Sequence, residues 1–132
     1  MANAEDIHAN AFKNGTITML ARVVGADAAD IVQADITSIA YSIYLLDDQD
    51  ADSRTAVTGH AAGALVVADT IYDTLQTGDE WTVDDTGYNF AHVIDIATSG
   101  AFAIAGRRYL VEVILTPAAG QVILVRFRVN VI

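Results

Sequence analysis

Cysteine is absent from the 132 residues. Disulfides, thiolate zinc sites and cysteine nucleophiles are thereby excluded, and rigidity has to come from packing or assembly. Proline occurs once, at Pro117, and basic residues are scarce: seven Lys and Arg against seventeen Asp and Glu leave a formal charge of -10. An acidic surface repels phosphate, so free nucleic acid is not an expected partner. Thr, Asp, Arg or Gly interrupts every apolar run well short of a membrane-spanning length, and no membrane insertion is expected. The first eight residues, Met1 to His8, lack the basic and apolar regions of a secretory signal, so synthesis in the cytosol is the expectation.

What is present is apolar and strand-like. Hydrophobic residues make up 53% of the chain and the mean hydropathy is +0.37, the composition of a packed domain rather than a disordered one. The clearest stretch is the last one, Arg108 to Ile132. Tyr109, Val111, Val113 and Leu115 share one parity, against Arg108, Leu110, Glu112, Ile114 and Thr116. Beyond Pro117 to Gly120, Ile123, Val125, Phe127, Val129 and Val131 alternate with Val122, Leu124, Arg126, Arg128 and Asn130. The period of two and the β-branched residues predict two long strands joined by a tight turn, each with one apolar and one mixed face.

Upstream, Thr16 to Val24 and Ile39 to Leu46 alternate in the same way, and Ile31 to Ile36 reads as a short edge piece. Thr55 to Thr58 and Ala64 to Ala68 are short extended segments on either side of Gly59 to Gly63, expected to be a flexible turn. Ile71 to Leu75 fits either a strand or one helical turn, and Tyr88 to Ile96 returns to alternation. Strands at short intervals between Gly, Asp and Thr turns, with no amphipathic helix, predict an all-β sandwich. Residues 1–15 show no period and are expected to form an N-terminal arm, leaving residues 16–132 as the sandwich domain.

Chemistry-bearing constellations are few. His8, His60 and His92 lie far apart without metal-ligand spacing; His60, among turn residues, is expected in solvent, and His92 shares parity with Phe90 and Ile94 and is expected to pack. Acids at 48, 50 and 52 follow the opening of a calcium-binding loop, but Ser53 stands at the position of the tight-turn glycine and Gly59 at that of the bidentate glutamate. No metal or other cofactor is therefore expected. Nucleophile-elbow, zincin and phosphate-loop motifs are absent, and the acid pairs Asp47-Asp48, Asp79-Glu80 and Asp84-Asp85 are neighbours only in sequence, so no enzyme is expected.

Two groups of residues could instead form an interface. Residues 1–100 hold sixteen of the seventeen acids, whereas residues 101–132 hold four arginines and one acid, Glu112. Arg126 and Arg128 share a strand face near Arg108, either as a solvated face or as a stripe that meets an acidic neighbour. Trp81, Tyr88 and Phe90 either cap the core or form an aromatic binding face, for a sugar or for a neighbouring subunit.

The stretch from Asp73 through Trp81 to Gly87-Tyr88-Asn89-Phe90, then Phe102, Gly106-Arg-Arg-Tyr109-Leu-Val-Glu-Val113 and Thr116-Pro-Ala-Ala-Gly120 resembles small virion structural proteins of phages and prophages. It is also similar to the immunoglobulin-like domain that opens some phage baseplate upper proteins. The likeness covers residues 70–132, and Gly-x-x-Tyr-x-Val-x-Val is common among immunoglobulin-like sandwiches. The resemblance implies an immunoglobulin-like antiparallel β-sandwich in a virion, made in the host cytoplasm. It implies a capsid decoration or cement protein that bridges major capsid protein subunits on the outer surface and is homo-oligomeric in the assembly. A tail or baseplate component and a carbohydrate-binding module are the alternatives.

Overall fold

A computed structural model describes residues 7–25, 29–47, 49–50, 53–61, 63–97 and 99–132. The strands are β1 (Ile7–Ala11), β2 (Thr18–Ala21), β3 (Ile36–Leu46), β4 (Arg54–Ala56), β5 (Gly63–Leu65), β6 (Ile71–Gln76), β7 (Tyr88–Val93), β8 (Arg108–Pro117) and β9 (Ile123–Val131). A 3₁₀ turn at Gln33–Asp35 and one helical turn, α1 (Val67–Thr70), complete the regular structure. Ile71 to Leu75, which fitted either a strand or one helical turn, is strand, lying within β6; the helical turn α1 directly precedes it.

The alternating residues sort as their period requires. β3, β8 and β9 are the long strands, and β8 pairs antiparallel with both of the others, Val111 lying opposite Ile43 on one side and Phe127 on the other. With β1 outside β9, and with β4 and β5 sharing the far edge of β3, they make a six-stranded sheet. The second sheet has the order β2-β7-β6. If β2, β3, β4, β6, β7, β8 and β9 are read as strands B, C, C′, D, E, F and G, the sheets are B-E-D and G-F-C-C′, the immunoglobulin-like arrangement with a C′ extension. Tyr109, at the start of strand F, accepts a hydrogen bond on its hydroxyl from the Ile104 N–H at 3.3 Å, the corner contact of such domains. Val111, two residues later, takes the place of the strand-F cysteine of antibody domains and is fully buried. Packing here replaces a disulfide.

Between the sheets the inward residues of β3, β8 and β9 meet Met19, Ala21, Ile71 and Phe90 of the small sheet. Phe90 stacks on Phe127 with centroids 6.2 Å apart, and Phe102 meets Tyr109 edge-on at 5.4 Å. Each large apolar side chain buried this way stabilises the fold by about 1.5–3 kcal/mol.

Three expectations change. Residues 7–11 of the expected arm are a strand within the large sheet, paired parallel with β9, so the sheet is not wholly antiparallel. Residues 1–6 of that arm lie outside the described residues. His60 is 2% exposed rather than solvated: its Nε2 donates to the Ser99 carbonyl at 2.8 Å, which leaves Nδ1 to accept the Tyr41 hydroxyl at 2.8 Å. The turn around it is packed, not loose, since Gly59 has φ +86° and a Cβ there would meet the Ser99 side chain. Burial first, and Asp95 second, raise the Tyr41 pKa and keep its hydroxyl a proton donor. His92, half-buried as expected, also packs against Tyr41, with ring centroids 5.7 Å apart, so two histidines far apart in sequence meet at one tyrosine.

The connection from β2 to β3 is fastened by Asn89. Its Oδ1 accepts from the Val23 N–H at 2.7 Å, and its Nδ2 donates to the Val23 and Ile31 carbonyls at 2.9 and 3.1 Å. Asn89→Ala would strip buried backbone groups of their partners. Urea unfolding of this variant is expected to show a loss of roughly 2–4 kcal/mol; a loss below about 1 kcal/mol would show that the connection carries its own stability.

Candidate functional site: the arginine face of the large sheet

One face of the six-stranded sheet is the core wall, and the other faces outward. Parity and register place on it Ser42, Tyr44 and Leu46 of β3, Arg54 of β4, Arg108, Leu110, Glu112 and Ile114 of β8, and Leu124, Arg126 and Arg128 of β9. The three sequence-predicted arginines therefore do share a surface, and the structure adds a fourth, Arg54, from the short strand after the acidic loop. On these outward positions four arginines meet a single carboxylate, Glu112, in a chain whose charge is -10.

The face is not a uniform field of solvated charge. Leu110 lies in register between Tyr44 and Arg128 and is 2% exposed although it points away from the core. Long side chains on such a face cover apolar surface with their stems, and here the Nε of Arg126 is itself buried. The Arg54 guanidinium sits 4.1 Å from the Tyr44 ring centroid, a cation–π contact. It also comes within 4.0 Å of Glu112, a long contact between an exposed arginine and a partly buried carboxylate that contributes little. Glu112 stands opposite Arg126 in the β8–β9 ladder. Leu124, about half exposed, and Ile114 extend the apolar part toward the β8–β9 turn. An aromatic ring, aliphatic side chains and planar guanidinium groups on one rigid sheet make a surface suited to a protein neighbour that presents carboxylates.

Arg54 was missed in the sequence because its strand has only three residues and follows the acidic loop. Its contact with Tyr44 depends on β4 pairing with the end of β3, which no periodicity announces.

The aromatic candidates behave differently. Phe90 is fully buried and Tyr88 nearly so, both inside the chain's own packing, which removes them from any interface. Trp81 is half-buried, its ring 5.5 Å from Tyr88, and its Nε1–H donates to Asp84 Oδ1 at 3.0 Å. The same oxygen accepts from the Thr86 and Gly87 N–H groups at 3.0 and 3.1 Å, while Oδ2 pairs with Arg22 at 2.7 Å. Gly87 has φ +108°, and a Cβ there would strike the Gln76 carbonyl, so glycine is required. Tyr88 closes the loop by donating to Glu80 Oε1 at 2.9 Å. A backbone hydrogen bond first, and the Tyr88 hydroxyl second, lower the Glu80 pKa, whereas burial and then Glu80 raise that of Tyr88. Trp81, Asp84, Gly87, Tyr88, Asn89 and Phe90 are thus all engaged in building one loop and seating it on the core. Tyr88 is not available to stack on a sugar beside Trp81.

The acidic loop is only partly described, because Asp48 and Asp52 lie outside the described residues. Asp47 Oδ1 accepts from the Gln49 and Asp50 N–H groups, forming an Asx turn that lowers its pKa.

No family model and no curated protein matches the chain.

The Trp81 indole first, then the Gly87 N–H and Arg22, hold the Asp84 carboxyl well below the usual carboxylate range. Its folded-state pKa lies under the unfolded value, so its contribution is present above that unfolded value and is lost as pH falls through the folded one. Stability measured from pH 5 down to the acid limit should therefore fall less steeply in Asp84→Asn than in the parent. Equal slopes would mean that the loop does not depend on this charge.

Proposed function

We propose that the chain is a non-enzymatic structural protein of a phage virion, attached to the particle through the outward face of its six-stranded sheet. The capsid exterior is favoured over the tail, with the major capsid protein as the neighbour. The observation that carries the attachment surface is the gathering of Arg54, Arg108, Arg126 and Arg128 around Tyr44, Leu110 and Leu124 in an otherwise acidic protein. The virion setting is supported by the resemblance of residues 70–132. Since the residues of its most specific part fold a loop, that likeness bears more directly on fold than on partner.

A cement protein has to hold two shell subunits against forces that pull them apart. A rigid sheet suits this: it is backed by the core, and its long strands cannot shift register without turning the apolar rows outward. Charge selects the partner and speeds docking, while Tyr44, Leu124 and Ile114 supply area that excludes water. An acidic remainder faces away from the shell and keeps the decorated particle soluble.

Two measurements test the reading. The copy number of the chain in purified particles should lie within a few-fold of the major capsid protein; a small fixed ratio would move the chain to the tail or a vertex, and absence from particles would overturn the virion setting. Independently, Arg126→Glu/Arg128→Glu should remain folded and lose attachment by at least about tenfold, as expected for truncating or reversing central interface arginines. Attachment of the parent should weaken as salt is raised. Undiminished attachment of the double variant would remove this face from the mechanism.

A further inference from the structure

β1 and β2 are the outer strands of their sheets on the same side of the sandwich, and a groove of about 170 Å³ between them is lined by Ile7, Ala9, Ile17, Met19, Trp81 and Val83, among others. The two sides of the sandwich differ in how their edges are protected. On the far side, β6 contains Asp73, Asp69 precedes it, and Asp47 and Asp50 lie at the turn into β4. Charge of this kind is what natural sheets use to prevent edge-to-edge pairing. On the near side, β1, β2 and β9 themselves contain no Asp or Glu, and β1 has neither proline nor a register shift; Glu5 and Asp6 precede β1 in sequence, and Asp84 pairs with Arg22 just after β2. Glu80 is the carboxylate lining the groove, and the Tyr88 hydroxyl holds it.

The backbone of β1 shows which groups face outward. The Ala11 carbonyl accepts from the Ile132 N–H, and the Lys13 N–H donates to the Ile132 carbonyl, so the odd-numbered residues turn their polar groups to β9. Alternation leaves the N–H and C=O of His8 and Asn10 pointing away from the sheet. No described strand pairs with them. Beside them Phe12 is 73% exposed.

We propose that a second copy of this chain pairs with β1, antiparallel about a two-fold axis at Asn10, and joins two six-stranded sheets into one. Such a pairing is self-complementary, as a two-fold interface requires. In this register Asn10 faces its own symmetry mate and His8 faces Phe12 of the other copy, so the outward groups of His8 and Asn10 are satisfied. Charge selects the antiparallel direction: in sequence Glu5 and Asp6 precede the strand and Lys13 follows it, so antiparallel copies bring opposite signs together and parallel ones would not. The acids on the far side of each copy are screened beyond a Debye length of about 8 Å at physiological salt. On a shell, the pair would present two arginine faces in one continuous surface, doubling the attachment through high local concentration.

The absence of cysteine gives a clean test. In the full-length chain, Asn10→Cys places two thiols across the axis at a Cα separation of about 5.5 Å, within the range a disulfide spans. Under mild oxidation it should form covalent dimers faster than Thr74→Cys, on the acid-flanked strand β6. Sedimentation velocity of the parent should show a monomer–dimer equilibrium that shifts toward dimer as salt rises, opposite in sign to attachment through the arginine face. Asn10→Asp, which sets two carboxylates face to face, should raise the dimer dissociation constant at least about tenfold with an unchanged circular dichroism spectrum. A parent that is monomeric at every concentration, a dimer untouched by Asn10→Asp, or cross-linking of Asn10→Cys no faster than that of Thr74→Cys overturns the proposal. None of these outcomes bears on whether the chain attaches to a particle.

Discussion

The antiparallel ladder between β3 and β8 is the constraint on which the other elements depend. It aligns Ile39, Tyr41 and Ile43 with Leu115, Val113 and Val111, which places an unbroken apolar row against the small sheet. The same register sets Tyr44 beside Leu110 on the opposite side. A slip of one residue would exchange the two faces, exposing the core row and burying arginine. Core and candidate interface are therefore two consequences of one register, and neither can be altered without the other.

The loop from Gln76 to Tyr88 shows how much of a polar segment can be spent on its own folding. Asp84 gathers an indole, two backbone N–H groups and a guanidinium, and Asn89 fastens a distant connection. Charge-assisted bonds of this sort fix a loop at few positions while leaving Val83 in solvent. Sequence specificity in that stretch marks a structural solution.

Charge divides the molecule in a second way. Arginines occupy the outward face of the large sheet, sixteen of the seventeen acids lie in residues 1–100, and β1 itself contains no Asp or Glu. In the proposed readings, attraction selects the arginine face, and backbone pairing at the β1 edge is the contact that charge leaves open.

The alternation of Tyr109 to Leu115 and of Ile123 to Val131 determined the terminal hairpin, its buried face and the all-β class, because a period of two is a local property that the chain carries wherever it goes. Pro117 and Gly120 marked the turn for the same reason. The gathering of Arg108, Arg126 and Arg128 was also legible, since one hairpin holds all three. What only the tertiary structure decided involves partners distant in sequence: Arg54 against Tyr44, His60 and His92 both against Tyr41, and residues 7–11 as a parallel strand beside β9. Ile7–Ala11 lacks a strand signal of its own, and His60 lies among residues that usually face solvent. Their places follow from which edge and which cavity the rest of the chain leaves to be filled, a property of the assembled sheets and not of any local pattern.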